Sequence, residues 1–106
     1  MYARSVKMNL KPNTAIEFNT TLERDILPML RKRTGFADEL AFVSADGKGA
    51  VAISLWDRQE NADAYGRETY PAVLAGLSKV VEGTPEVNSF NVTSSTFHKI
   101  STPARA

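Results

Sequence analysis

The four residues Asp46-Gly47-Lys48-Gly49 lie between two segments whose side chains alternate in character. Their glycines accept positive φ, which marks a hairpin turn and makes the flanking segments antiparallel neighbours. From Phe36 to Ala45, Leu40, Phe42 and Ser44 oppose Ala41, Val43 and Ala45; from Ala50 to Trp56, Val51, Ile53 and Leu55 oppose Ala52, Ser54 and Trp56. A central hairpin with a helical pattern on either side of it leaves few architectures to consider.

The flanks complete the pattern. Tyr2 to Leu10 alternates, with Tyr2, Arg4, Val6 and Met8 on one face, and Lys11-Pro12-Asn13 ends it. Ala15, Phe18, Leu22, Ile26, Met29 and Leu30 then recur at three- and four-residue steps, the apolar stripe of a helix. Thr14 and Glu17 have the spacing of a capping box. Pro28 lies inside the stripe and predicts a kink near Ile26, because proline lacks a donor and clashes one turn back. The cations Arg31, Lys32 and Arg33 suit the negative end of the helix, and Gly35 suits a left-handed cap. After the hairpin, Asp57 and Glu60 repeat the cap signature. Ala62, Tyr65, Val73, Leu74, Leu77 and Val80 mark a second helical region reaching about Val81, interrupted by Gly66 and Pro71. Glu82-Gly83-Thr84-Pro85 reads as a loop, Glu86 to Ile100 as a final strand, and 101–106 as a flexible tail. The order is βαββαβ, an α+β chain of the ferredoxin-like type with a four-stranded antiparallel sheet.

At 106 residues this is one domain, 1–100 plus the tail. Hydrophobic residues at 42% and charged residues at 24% describe an ordinary globular chain. A net charge of +1 offers no field for a phosphate backbone, so nucleic acid is not the expected partner. The absence of cysteine excludes disulfides and thiolate chemistry. Charge in the first seven residues argues against a signal peptide, and no apolar run approaches the ~18 residues of a membrane span. The expected location is cytoplasmic, with no membrane partner.

Few residues invite a chemical role. His98, the single histidine, is either a general base for a phenol or a polar residue at the strand end. Trp56, Tyr65 and Tyr70 either stack a flat ring and offer phenol hydrogen bonds, or pack in the core with polar tips at its rim. The 31–33 cations and the Asp57–Glu60 pair are explained by helix ends. No His and carboxylate set has metal spacing, and Gly47 and Gly49 stand in a hairpin rather than before a helix. No metal or cofactor is expected.

Several features together resemble the antibiotic biosynthesis monooxygenase family of dimeric α/β barrels. They are Lys11-Pro12 after the first strand, Ile26-Leu27-Pro28 in the first helix and Gly35-Phe36 at its end. Ile53-Ser54-Leu55-Trp56 in the third strand, Ala64-Tyr65 beyond it and Pro85-Glu86-Val87 continue the series. The resemblance runs from Tyr2 to about Ile100. It implies a homodimer in which two sheets pack face to face, with the last strand reaching over the partner. It also implies either a cofactor-independent oxygenase of phenols or quinols, or haem degradation. Haem-degrading relatives carry a ligating histidine on the second helix; Tyr70 to Leu77 has none.

Two functions follow as expectations. One is a cofactor-independent monooxygenase acting on a small phenol or quinol. The other is a non-catalytic dimeric barrel that binds a small molecule or has a structural role. A small aromatic ligand is expected between the second helical region and the sheet, near Trp56, Tyr65 and Tyr70. Ala52 and Ser54 leave room there, and Asn91 or His98 could assist.

Overall fold

The computed structural model describes residues 1–100; the tail expected over 101–106 lies outside the described residues. The chain runs β1 (Tyr2–Leu10), α1 (Ala15–Thr21), a π-helical segment (Leu22–Ile26), α2 (Leu27–Arg31) and β2 (Phe36–Val43). It continues through β3 (Gly49–Trp56), α3 (Gln59–Glu68) and α4 (Tyr70–Leu77) to β4 (Val81–Asn91). The strands form one antiparallel sheet in the order β2-β3-β1-β4. This is the expected ferredoxin-like α+β arrangement, with the helices on one face. No helix among the described residues is long and apolar enough to cross a membrane.

Alternation assigns the faces. Tyr2, Val6, Met8 and Leu10 of β1 point to the helices with Ala50, Ala52 and Trp56 of β3. There they meet Phe18, Ile26, Leu30 and Val80, each no more than 2% exposed. Trp56 has no exposed surface; its ring meets Tyr65 at 5.0 Å and the edge of Phe36 at 5.6 Å between centroids. The other face carries Leu40, Phe42, Ile53 and Phe90 without a helix over them, and Phe42 and Phe90 are more than half exposed.

Proline and glycine act as the sequence suggests at three points. The kink expected near Ile26 is the π-helical segment, which widens the helix just before Pro28. Gly35 has φ 83°, and a Cβ there would lie 2.2 Å from the Asp57 carboxylate, so a side chain at this corner is both strained and blocked. Gly47 has φ 73° in the hairpin, where Asp46 Oδ1 accepts hydrogen bonds from Ser44 Oγ at 2.6 Å and Lys48 N at 2.9 Å.

Six local expectations are corrected. Thr14 caps α1 by position, but its hydroxyl donates to the Lys11 carbonyl at 2.7 Å, so no capping box forms with Glu17. The cap of α3 is Arg58, in extended conformation; Asp57 instead accepts a hydrogen bond from Asn61 Nδ2 at 2.8 Å. Gly66 lies inside α3 without interrupting it, whereas the expected second helical piece does start beside Pro71, as α4 from Tyr70. The second helical region stops at Leu77 rather than Val81, and Glu82 to Pro85 belongs to β4 instead of a loop. Three β4 residues, 83–85, are accommodated opposite Met8 alone, and proline is tolerated because β4 is an edge. Finally, β4 ends at Asn91 rather than Ile100. Its last rung pairs Asn91 with Tyr2; one more hydrogen bond, from Val92 N to the Met1 carbonyl at 3.0 Å, follows before the chain leaves the sheet.

Candidate functional site

Between the helices and the sheet lies a cavity of about 30 Å³. One water molecule needs roughly 10–15 Å³, so the cavity has room for one or two. Its walls are mainly aliphatic, with Leu22, Ile26, Leu30 and Val73 from the helices and Val6 from β1. At one end the lining is polar, and the sheet register explains why. Ser89, Arg4, Ser54 and Glu39 stand opposite one another on β4, β1, β3 and β2, forming one polar row across the helix-facing side. The rows on either side of it, through Tyr2–Trp56 and Val6–Ala52, are apolar or aromatic except for Asn91 on β4.

Two helices close over this row. The Arg4 guanidinium lies 4.3 Å from the Tyr70 ring centroid and 5.5 Å from that of Tyr65. It passes beneath Gly66, where a Cβ would stand 3.4 Å from Arg4 Nη1. The bare backbone of α3 thus gives the cation its space. Among the described residues no carboxylate forms a salt bridge with Arg4; aromatic faces take that place. Ser54 Oγ is occupied, accepting from Trp56 Nε1 at 2.9 Å.

Four buried side-chain polar atoms lack a hydrogen-bond partner among the described residues. Three of them, Arg4 Nε, Glu39 Oε1 and the Tyr70 hydroxyl, belong to residues lining this one cavity. An unmatched buried polar group costs roughly 1–3 kcal/mol, so such a concentration marks a site for a ligand or ordered water rather than a packed core. Burial also sets protonation. It pushes the Glu39 carboxyl up to about 8 and the Tyr65 phenol up to about 12, the nearby Arg4 charge opposing the latter. Burial likewise raises Tyr70. At neutral pH the site therefore holds one cation, a neutral carboxylic acid and two phenols.

The residues singled out in the sequence separate into four places. Tyr65 and Tyr70 line the cavity. Trp56 sits behind Tyr65 in the core, outside the lining. Asn91 is exposed at the end of β4. His98 follows β4 rather than lying in it, with Nε2 against Asp38 Oδ2. Asp38 pairs with Leu55 on the face away from the helices, so His98 and the cavity lie on opposite sides of the sheet. Among the described residues no group of three or more His, Asp or Glu could hold a metal ion.

No protein-family model matches the chain, and no curated protein matches it in sequence. Solved structures do match. A monooxygenase of Streptomyces coelicolor, ActVA-Orf6, solved in complex with nanaomycin D, superposes with a TM-score of 0.75 at 17% identity over 92% of each chain. SnoaB, a cofactor-independent oxygenase from Streptomyces nogalater, gives 0.71 at 14% identity, covering 92% of this chain and 97% of its own. NE2512, a protein of unknown function from Nitrosomonas europaea, gives 0.74 at 14% identity, covering 92% and 94%. The chain has the fold of the antibiotic biosynthesis monooxygenases.

Proposed function

We propose that this protein is a cofactor-independent monooxygenase of a small phenol or quinol, working as a homodimer, with its reacting site at Arg4, Glu39, Tyr65 and Tyr70. The observation that carries the reading is the unpaired polar row beside an apolar cavity. A phenol would place its ring against the aliphatic wall and its hydroxyl toward Glu39. A carboxylate whose pKa is about 8 is a far better match to a phenol than an ordinary one, since proton transfer is easiest between groups of similar pKa. Glu39 would accept the phenol proton, and Arg4 would stabilise the aryloxide.

Dioxygen would then bond to the activated ring carbon. Breaking the O–O bond would leave one oxygen on the ring as a carbonyl, and the other would depart as water. A phenol plus O₂ thus gives a quinone plus H₂O, and the substrate supplies all the electrons. The test is oxygen uptake across hydroquinones and polyphenols. Uptake should rise with pH and level off above about 8, because the ionised Glu39 is the reactive form. Arg4→Met should slow it by about 10²-fold, the scale of losing one preorganised electrostatic partner. No uptake above the buffer rate with any quinol would defeat the oxygenase reading.

The small cavity favours a second reading, a non-catalytic dimeric barrel binding a small molecule, since 30 Å³ admits a ring only after the walls move.

The homodimer rests on the uncovered sheet face. Leu40, Phe42 and Phe90 are exposed there by 39%, 52% and 56%, and segment 92–97 covers only its β2–β3 side, beside Leu40, Ile53 and Leu55. A two-fold axis would bury the remainder with one self-complementary surface. Light scattering is expected to give twice the chain mass at micromolar concentration; a monomer there would overturn the assembly.

A further inference from the structure

A site whose only ionised group is a cation is suited to more than a phenol. The Arg4 guanidinium carbon lies 4.3 Å from the Tyr70 ring centroid, and its N–H bonds all lie in the guanidinium plane. Nε, buried and without a partner, is one of them. Arginine presents Nε and a terminal nitrogen as a fork that matches the two oxygens of a carboxylate. Across the polar row, Glu39 Oε1 is also unpartnered, and the Tyr70 hydroxyl is a third free group. Apart from Ser54 and Tyr65 the rest of the wall is apolar, and it has no charge of either sign.

We propose that this cavity, widened by movement of its walls, binds aromatic carboxylates, with Arg4 taking the oxygen pair, Glu39 and Tyr70 donating hydrogen bonds to it, and the apolar wall receiving the ring. This goes beyond the oxygenase reading, which requires a phenol and no carboxylate. Glu39 can donate only while protonated. The titratable and charged groups lining the cavity with it are Arg4 from β1, Tyr65 from α3 and Tyr70 from α4; α1, the π-helical segment and α2 contribute only Phe18, Leu22, Ile26 and Leu30. The phenols stay neutral across the working range, so Glu39 alone changes the charge of the site. Its ionisation removes a donor and places a negative charge beside the bound anion. Affinity for a carboxylate should therefore fall as pH rises through about 8, opposite in direction to the expected oxygenase profile.

The probe is benzoate, with benzamide as its neutral counterpart, read through the fluorescence of Trp56. That residue is the single tryptophan and packs against Tyr65, with ring centroids 5.0 Å apart. Benzoate should quench saturably at pH 7 and benzamide should bind at least tenfold more weakly. Between pH 7 and pH 9 the benzoate Kd should rise about tenfold, because a group with a pKa near 8 passes from mostly protonated to mostly ionised over that interval. Arg4→Gln should abolish the quench, while Glu39→Gln should flatten the pH dependence of the quench, because glutamine has no proton to lose. The inference is overturned if benzoate does not quench, if benzamide binds as tightly, or if Glu39→Gln retains the wild-type pH profile. Quinol-dependent oxygen uptake measured in parallel separates the two readings. Turnover without benzoate binding removes only this inference, and benzoate binding without turnover removes only the oxygenase.

Discussion

Glu39→Gln is expected to be more stable than the parent protein at pH 8 by on the order of 4 kcal/mol, and nearly equal to it at pH 4. Glu39 is held in the folded protein with a carboxyl raised to about 8 from an ordinary value of 4.5, and burial is the cause. The folded state therefore binds a proton more tightly than the unfolded chain does. Its stabilising contribution is fully present below the unfolded value and is lost as pH rises through the folded one. Between those two pH values each unit costs about 1.4 kcal/mol. Glutamine carries no proton to lose, so the slope disappears with the substitution. Urea denaturation of both proteins from pH 4 to pH 9 measures it directly. Parallel stability curves for the two would show that Glu39 reaches solvent or a partner when ionised, and the acid–base role argued for the cavity would fall with it.

Trp56→Ala should be the most destabilising single change, by roughly 3–5 kcal/mol. The indole has no exposed surface and stands at the centre of an aromatic group with Phe36, Tyr65 and Tyr70. Its loss leaves a cavity that the paired strands around it cannot close, because β3 is hydrogen-bonded on both sides. Ser54 Oγ would also lose the donor it accepts from. A domain of this size shifts by roughly 4–8 °C per kcal/mol, so the melting temperature should drop by about 12–40 °C. Calorimetry giving a drop of only a few degrees would mean that the indole contributes little to the core. Trp56→Phe should recover most of the loss, since it keeps an apolar ring while giving up the hydrogen bond.

The contrast between these two residues shows where sequence reading succeeds. Trp56 could be placed because it shares a phase with small residues, Ala52 and Ser54, in an alternating strand beside a hairpin turn. The strands, the helical stripe and the turn at Asp46 to Gly49 are local patterns, and periodicity reads them directly. Tyr65 and Tyr70 could be placed beneath the second helical region for the same reason. Arg4 carried a signal too: it stands in the inward phase of β1, between Tyr2 and Val6, where a charge needs a reason. Glu39 stands likewise in phase with Ala41 and Val43. Those two signals were legible but could not be joined. Arg4 and Glu39 are 35 positions apart in the chain, and only the pairing of β1 and β2 on either side of β3 brings them into one row.

His98 and Asn91 show the opposite case. Strand propensity continues past Asn91, yet the ladder ends at the rung with Tyr2, beyond which only Val92 N still reaches the Met1 carbonyl. That decision belongs to a neighbour 89 positions earlier, Tyr2, and no local pattern records it. The faces of the sheet follow the same logic. Alternation says which residues share a face, but only the packing of the helices decides which face encloses a cavity and which is left uncovered. The order of strands and helices was thus determined by the sequence itself, through local periodicity and turn chemistry. The polar row, its unpaired atoms and the separation of His98 from the cavity were decided by tertiary structure, because they depend on sheet register and burial, which are contacts between residues far apart in the chain.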